Sequence, residues 1–492
     1  MEQHHGAAPL GAAKDLMGGR ETFDWNQICW GKEMATVRRL RQRIFAAASR
    51  KDLAEVRNLQ KLALRSRAVV LVATRRVTQD STGRSTAGLD GEVALTPSGR
   101  AKLAEDILAD VQSNSVRGKA TPVKRVYIPK SNGKQRPLGI PVIRDRVLQA
   151  VVKTALEPQW EALFEPNSHG FRPGRSAHDA IGAIWNTSRG KNPHRMWVLD
   201  ADLSAAFDRI NHDFLLDQLH GFPGISWVAQ WLRAGVVEKG VLTKTTEGTP
   251  QGGVISPLLL NIAIHGMEEA VGVTYWKDKG EKGSSCLSPK SPVLVRYADD
   301  FVVFTHTEEQ AYAAKETLAA WLAPRGLVVN EEKTSVRNLH DGFDFLGFTI
   351  RRYPNRAATI VKPSAESQKR FKARITEEVR SLRGSNAQAV ITRLNPIIRG
   401  WSAYFGHVVS AEVFAHLDEH VYERVSWWAQ RAHPKKGGDW VTRHYFGTFN
   451  KSRKARWVFG DKPSGGYLLK LAWTPIKRHT KVINSLSFDG FG

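Results

Sequence analysis

The stretch Val293-Leu-Val-Arg-Tyr-Ala-Asp-Asp-Phe-Val-Val-Phe-Thr305 places two adjacent aspartates, Asp299 and Asp300, between two apolar runs. VLVRYA reads as one strand and FVVFT as its return, which puts both carboxylates at or beside the tip of a hairpin. On its own an Asp-Asp pair is a polar turn, because acidic side chains usually lie outside. Here both flanks are apolar enough to be buried. Placing two carboxylates between them is costly without a compensating charge. A divalent cation with a preference for oxygen would supply that charge.

A second acidic strand end lies upstream, in Trp197 to Asn211, WVLDADLSAAFDRIN. Asp202 closes an apolar strand, and Phe207 follows five residues later. Asp202 could equally cap a helix over LSAAFDRI, and a capping carboxylate can still bind metal. Strand alternation puts Asp200 on the same face as Asp202, so Asp200 and Asp208 stay open as alternative ligands. Two-metal phosphoryl transfer needs carboxylates converging on ions ~4 Å apart. Asp202 and Asp299 would meet that need if their strands are neighbours.

Two other stretches suit the same chemistry. Lys124 to Pro141, KRVYIPKSNGKQRPLGIP, is a strand, an SNG turn and a return strand. It sets Lys130, Lys134 and Arg136 around one basic hairpin, either a solvated turn or a grip for a triphosphate. Glu247 to Ile264, EGTPQGGVISPLLLNIAI, is a Gly turn opening an apolar helix, with Ser256 as cap and Pro257 near the start. Its Gln251-Gly252-Gly253 turn lets backbone approach a ligand closely. The Gly-rich loop Thr78 to Gly91 lacks the Gly-Lys-Ser/Thr ending of a P-loop, so no nucleotide triphosphatase is read there.

The net charge of +24 over 492 residues points to a polyanionic partner. No apolar run reaches the ~20 residues of a spanning helix, and no signal-peptide core opens the chain. The expectation is a cytoplasmic, nucleic-acid-binding protein with no membrane partner. Two cysteines, Cys29 and Cys286, cannot build a zinc knuckle and are read as unpaired thiols.

The first ~20 residues are expected to be mobile. Helices follow from Asp24 to about Arg76, with Arg38, Arg39, Arg41 and Arg43 read as facing phosphate. Arg172 and Arg175, in the Gly- and Arg-rich loop SHGFRPGRSA (Ser168 to Ala177), are further candidate nucleic-acid contacts. Tyr275 to Pro292 reads as an exposed loop. LVVNEEKT (Leu327 to Thr334) and FDFLGFTI (Phe343 to Ile350) each read as a strand. This mixture of helices and strands makes an α/β layer. After Pro363 helical pattern dominates, and Trp401, Tyr404, Trp427 and Trp428 are read as core rather than as a stacking platform. From Ser364 onward 22 Lys and Arg face 10 Asp and Glu, half of the net charge. Arg399 and the run Lys451, Arg453, Lys454 and Arg456 are candidate nucleic-acid contacts there.

YADD with DADLSAAFD, TPQGG and the basic hairpin resemble the reverse transcriptases encoded by group II introns. HGFRPGRSAHDAI, GTPQGGVISPLLLNI, GFDFLGF and LNPIIRGW match that family's blocks in order from about Trp25 to Lys481. The resemblance implies a right-hand polymerase of α+β type. Its fingers and palm, of mixed helices and antiparallel sheet, precede an α-helical thumb or maturase domain. It divides the chain into an N-terminal extension (1–95), fingers (96–200), palm (201–362), thumb/maturase (363–446) and a basic C-terminal segment (447–492), either a reduced DNA-binding region or the end of the maturase segment. It implies two Mg²⁺ ions held by Asp202, Asp299, Asp300 and the Leu203 backbone. Phe207 matches the gate that crowds a ribose 2′-hydroxyl, and FDFLGF the primer grip. Lys130, Arg136, Gln251, Gly252 and Lys333 match nucleotide contacts, with Lys333 as a proton donor to pyrophosphate. The implied partners are a group II intron RNA, held as a lariat ribonucleoprotein, an RNA template with a DNA primer, and target DNA. Many relatives continue into a Cys- and His-bearing HNH endonuclease, which this sequence does not reach, so no second-strand cleavage is expected. The alternatives are a splicing maturase with a vestigial polymerase, and a reverse transcriptase domesticated for another task.

Overall fold

A computed structural model describes residues 23–113, 120–129, 133, 135–190, 193–277 and 285–480. Lys130, Lys134 and the expected mobile N-terminal residues lie outside them. The chain forms two compact units, Met1–Pro158 with Gly221–Thr245 and Pro250–Ile255, and Gln159–His220 with Thr246–Thr249 and Ser256–Gly492.

The first unit begins with helices. Trp30–Ser49 buries Val37, Leu40, Arg41, Ile44 and Ala48 along one stripe at helical spacing. Asp52 caps Leu53–Leu64 by accepting from the Glu55 N–H, and Thr96 with Pro97 opens Pro97–Gln112 in the same way. A four-stranded sheet follows in the order Gln135–Ile140, Val123–Pro129, Val236–Glu238, Val241–Thr243. Its first two strands are the expected basic hairpin, with Ile128 opposite Arg136.

The second unit is built on an antiparallel sheet in the order Ser335–Asn338, Trp197–Asp202, Asp300–Thr305, Val293–Tyr297. The period of two assigns the faces. Val198, Val302, Phe304, Val293 and Val295 share one core with Ile181 and Ile184 of the helix Ala177–Ser188. The same core runs on through Phe343, Phe348, Phe371 and Phe405 into the C-terminal helices. Those helices, Ala365–Ser381, Ala387–Phe405, Ala411–Ala432 and Gly438–Tyr445, give the helical region expected after Pro363.

Several local expectations are corrected. Leu327 to Thr334 is not a strand. It touches the sheet by one bridge, Val329 to Leu203, and turns before the strand Ser335–Asn338. Its Asn330 and Lys333 are spent on that turn, which places Lys333 rather than extending the sheet. FDFLGFTI is two strands, Phe343–Phe345 and Phe348–Tyr353, because Leu346 and Gly347 both take positive φ (50° and 83°) and fold it back on itself. The Tyr275 to Pro292 insertion is no simple loop, since Tyr275–Lys277 and Ser285–Leu287 pair antiparallel. The tryptophans do belong to the core. Trp401 packs on Phe371, Phe405 and Phe414, and Trp428 is buried with its indole N–H on the Leu382 carbonyl. The C-terminal segment folds back onto these helices, where the Asp418 carboxylate accepts from the Leu471 and Ala472 N–H groups (2.7 and 3.0 Å).

Candidate active site

Asp202 ends one central strand and Asp300 begins its neighbour, and the two residues are direct cross-strand partners. Asp299 sits in the two-residue turn that joins the strand Val293–Tyr297 to Asp300, beside Ala298, whose φ of 59° is the strained step that reverses the chain. Leu203 donates its N–H to the Asp299 carbonyl at 3.3 Å, tying the two strand ends together. Asp202 is therefore a strand terminus and not a helix cap. The short helix Ala206–Arg209 starts after Ala205 instead.

Like charges this close cannot all ionise freely. The Asp300 carboxyl is pushed up to about 7, first by burial and then by Asp299 and Asp202. Lys333 answers part of this charge. Its ammonium donates to the Asp202 carboxylate, and that bond raises its own pKa. The turn that aims Lys333 is itself held by Asp202, whose carbonyl accepts from the Asn330 N–H at 2.8 Å while Asn330 accepts from the Lys333 N–H. Asp200 faces the same side but lies opposite Val302, two residues back from the tip. Burial first, against the nearby Arg337 charge, pushes it up to about 7 as well. Asp208 lies against the Gly248 turn, where a Cβ on Gly248 would stand 2.6 Å from the Asp208 carbonyl.

Among the described residues no three carboxylate, imidazole or thiol groups form a ready-made metal cage. The donor set nevertheless suits a hard divalent cation. It is a cluster of carboxylate oxygens carrying more negative charge than one lysine answers.

A buried network stands behind the turn. Arg296, 1% exposed, donates to Asn261 Oδ1 at 2.9 Å and reaches the Ala298 carbonyl at 3.5 Å. Its guanidinium lies 3.8 Å from Glu165. Burial pushes Glu165 up, but the His265 hydrogen bond and the Arg296 charge hold it at about 2. The sequence reading missed Arg296 and Asn261. An arginine between Val295 and Tyr297, in a strand apolar on both faces, was the available signal.

In the first unit Arg136 is exposed on its hairpin. The Gln251 carbonyl accepts from the Gly139 N–H at 2.6 Å, so the PQGG turn docks on that hairpin. Gly252 has φ 113° and lies so close to Gly139 that a Cβ would stand 2.8 Å from the Gly139 carbonyl oxygen.

The structure corrects two expected phosphate contacts. Arg41 is buried and donates to Glu157 at 2.6 Å. Arg172 is buried too, with Glu161 and the carbonyls of Glu165 and Ser168 as its acceptors. Both arginines occur in basic stretches, and only tertiary burial separates them from Arg38, which is exposed. Arg175 is half-buried and donates to the Pro166 carbonyl at 3.3 Å. Arg399, Lys451, Arg453, Lys454 and Arg456 are exposed.

A model of the N-terminal domain of reverse transcriptase matches residues 25–107, and the reverse transcriptase (RNA-dependent DNA polymerase) model matches residues 128–350. The group II intron maturase-specific domain matches residues 368–446. Protein YkfC of Escherichia coli is 36% identical over 313 residues, 58% of this chain and 81% of its own. The chain belongs to the group II intron reverse transcriptase/maturase family. Group II intron-encoded protein LtrA of Lactococcus lactis is 31% identical over 51% of this reverse transcriptase/maturase and 49% of LtrA, so the match spans about half of that relative. Maturase-like protein 1 of Euglena gracilis is 25% identical over 77% of each chain. A solved telomerase from Candida albicans aligns over 66% of this chain and 61% of its own, at 13% identity and a TM-score of 0.36, too loosely to carry an argument. No described helix is long and apolar enough to cross a membrane.

Proposed function

We propose that this reverse transcriptase/maturase copies RNA into DNA by two-metal phosphoryl transfer at Asp202, Asp299 and Asp300. We further propose that it binds its own intron RNA to promote splicing and carries the lariat into target DNA. The observation that carries the reading is the cross-strand pair Asp202 and Asp300 with Asp299 in the turn beside them. These residues would hold Mg²⁺, with the Leu203 backbone beside them. The bound ions would activate a primer 3′-hydroxyl and neutralise the leaving pyrophosphate. Lys333, whose ammonium donates to Asp202, would hand a proton to that leaving group. Lys130 and Arg136 take the triphosphate, Gln251 and Gly252 line the nucleotide, and Phe207 crowds a 2′-hydroxyl. The surplus of basic residues after Ser364 supports an RNA or DNA phosphate partner for the helical C-terminal region.

Primer extension on an RNA template with Mg²⁺ and dNTPs tests the polymerase. Extension is expected. Its absence, with tight intron-RNA binding retained, would favour a splicing factor with a vestigial polymerase.

Two more outcomes follow from the charges. An unfolded aspartate loses its proton near pH 4, whereas folded Asp300 keeps it up to about 7. Between those values the unfolded chain binds fewer protons, so stability without divalent cation falls as pH rises. Thermal melts in EDTA should show that fall in wild type and a smaller one in Asp300→Asn. MgCl₂ should raise the wild-type melting temperature more at pH 7.5 than at pH 5. Neutralising Lys451, Arg453, Lys454 and Arg456 together should flatten the slope of log K against log salt for RNA binding by up to about 3. An unchanged slope would place this exposed run away from phosphate.

A further inference from the structure

The loop Asn167–Arg172 carries an exposed aromatic on an unusually fixed backbone. The Asn167 carbonyl accepts from the Arg296 N–H, and the His169 N–H donates to the Arg296 carbonyl, each at 2.9 Å. The Gly170 carbonyl accepts from Asn261 Nδ2 at 2.9 Å. Gly170 lies directly on the aspartate turn, where a Cβ would stand 2.2 Å from the Ala298 nitrogen. Arg172 then anchors the loop through Glu161 and two carbonyls. Between these anchors Phe171 takes φ 59°, a conformation costly for a bulky side chain. It is also 46% exposed. Fold stability explains neither feature. A strained, exposed phenylalanine gains little from burial, and a glycine would fit that backbone without strain.

The Phe171 ring meets the Phe207 ring edge to face, with centroids 6.1 Å apart. The Phe207 backbone is fixed separately, its carbonyl accepting from the Thr249 N–H at 2.6 Å. The ring itself is half-buried and takes its direction from what it packs against. We infer that Phe171 is a positioning residue for sugar specificity: the loop braced on the aspartate turn presents its ring to hold Phe207 in the orientation that excludes a ribose 2′-hydroxyl. The inference rests on the proposed role of Phe207 as the gate. It adds a physical link, through Gly170 and Ala298, between the turn bearing the metal carboxylates and the group that selects the sugar.

The experiment is a double-mutant cycle read as discrimination, the ratio of kcat/KM for a dNTP to that for the matching rNTP. The variants are Phe171→Ala, Phe207→Val, both together, and Phe171→Tyr. Losing one edge-to-face contact should lower discrimination by roughly three- to tenfold in Phe171→Ala. The loss should come mainly through a lower KM for the rNTP, with dNTP extension changed less. Phe171→Tyr keeps the ring and should keep discrimination. The double variant should discriminate no worse than Phe207→Val alone, because Phe171 acts only through Phe207.

If Phe207→Val relaxes discrimination while Phe171→Ala does not, the inference is wrong and the gate stands. Additive losses in the double variant would also overturn it, since the two rings would then act independently. Unchanged discrimination in Phe207→Val would remove the gate itself, and the inference with it. If Phe171→Ala fails to fold by circular dichroism, Phe171→Leu replaces it with the same expected loss. A folded variant that extends with neither nucleotide would show a role in catalysis rather than specificity and overturn the inference.

Discussion

Asp299→Ala/Asp300→Ala should abolish primer extension on an RNA template, by at least about a thousandfold. The same variant should leave intron-RNA binding close to wild type. The reason lies in the strand register. Asp300 faces Asp202 across the central pair, where burial first, and then the charges of Asp299 and Asp202, raise its pKa. Removing two carboxylates would therefore remove the proposed seat for the metal and leave the strand pairing intact. It also relieves repulsion, so the variant should melt at or above the wild-type temperature in EDTA. That combination separates lost chemistry from lost folding. A fall in splicing as large as the fall in synthesis would instead assign the aspartates a structural role.

Arg296→Met should lower stability and polymerisation together. It removes a buried cation from Glu165 and the donors to Asn261 and the Ala298 carbonyl. Breaking a buried pair from one side costs about 3–5 kcal/mol. For a domain of this size that is a melting temperature lower by roughly 10 °C. The more telling effect is local. The turn carrying Asp299 has its positive φ at Ala298 beside Gly170 and the Arg296 guanidinium, both of which Asn261 bonds in turn. With that support loosened, extension measured well below the melting point should fall by about a hundredfold, as for a misplacement of roughly 1 Å at a reacting centre. Gly170→Ala attacks the same turn from the other side by collision rather than by lost charge. Normal extension by a folded Arg296→Met would show that the turn holds its shape unaided.

The sequence by itself determined the aspartate hairpin, the second acidic strand end, the basic hairpin and the change to helices after Pro363. Each of these is local. A period of two bounded by turn residues marks a strand, and an acidic pair between apolar runs is legible because burial of charge is costly. The resemblance of the blocks added the family, and the domain matches agree with it. The sequence left three things open that depend on contacts between distant segments. Whether Asp200 or Asp202 reaches the tip was decided by register, which sets Asp202 against Asp300 and Asp200 against Val302. Whether a basic residue faces phosphate or a buried carboxylate was decided by packing. Arg41 found Glu157 across 116 residues, and Arg172 found Glu161. The bracing of the aspartate turn by Gly170, Asn261 and Arg296 joins three stretches that no spacing rule connects. Strand period and charge are properties of neighbours along the chain, whereas register, burial and the partner of a buried arginine are fixed only when remote segments pack.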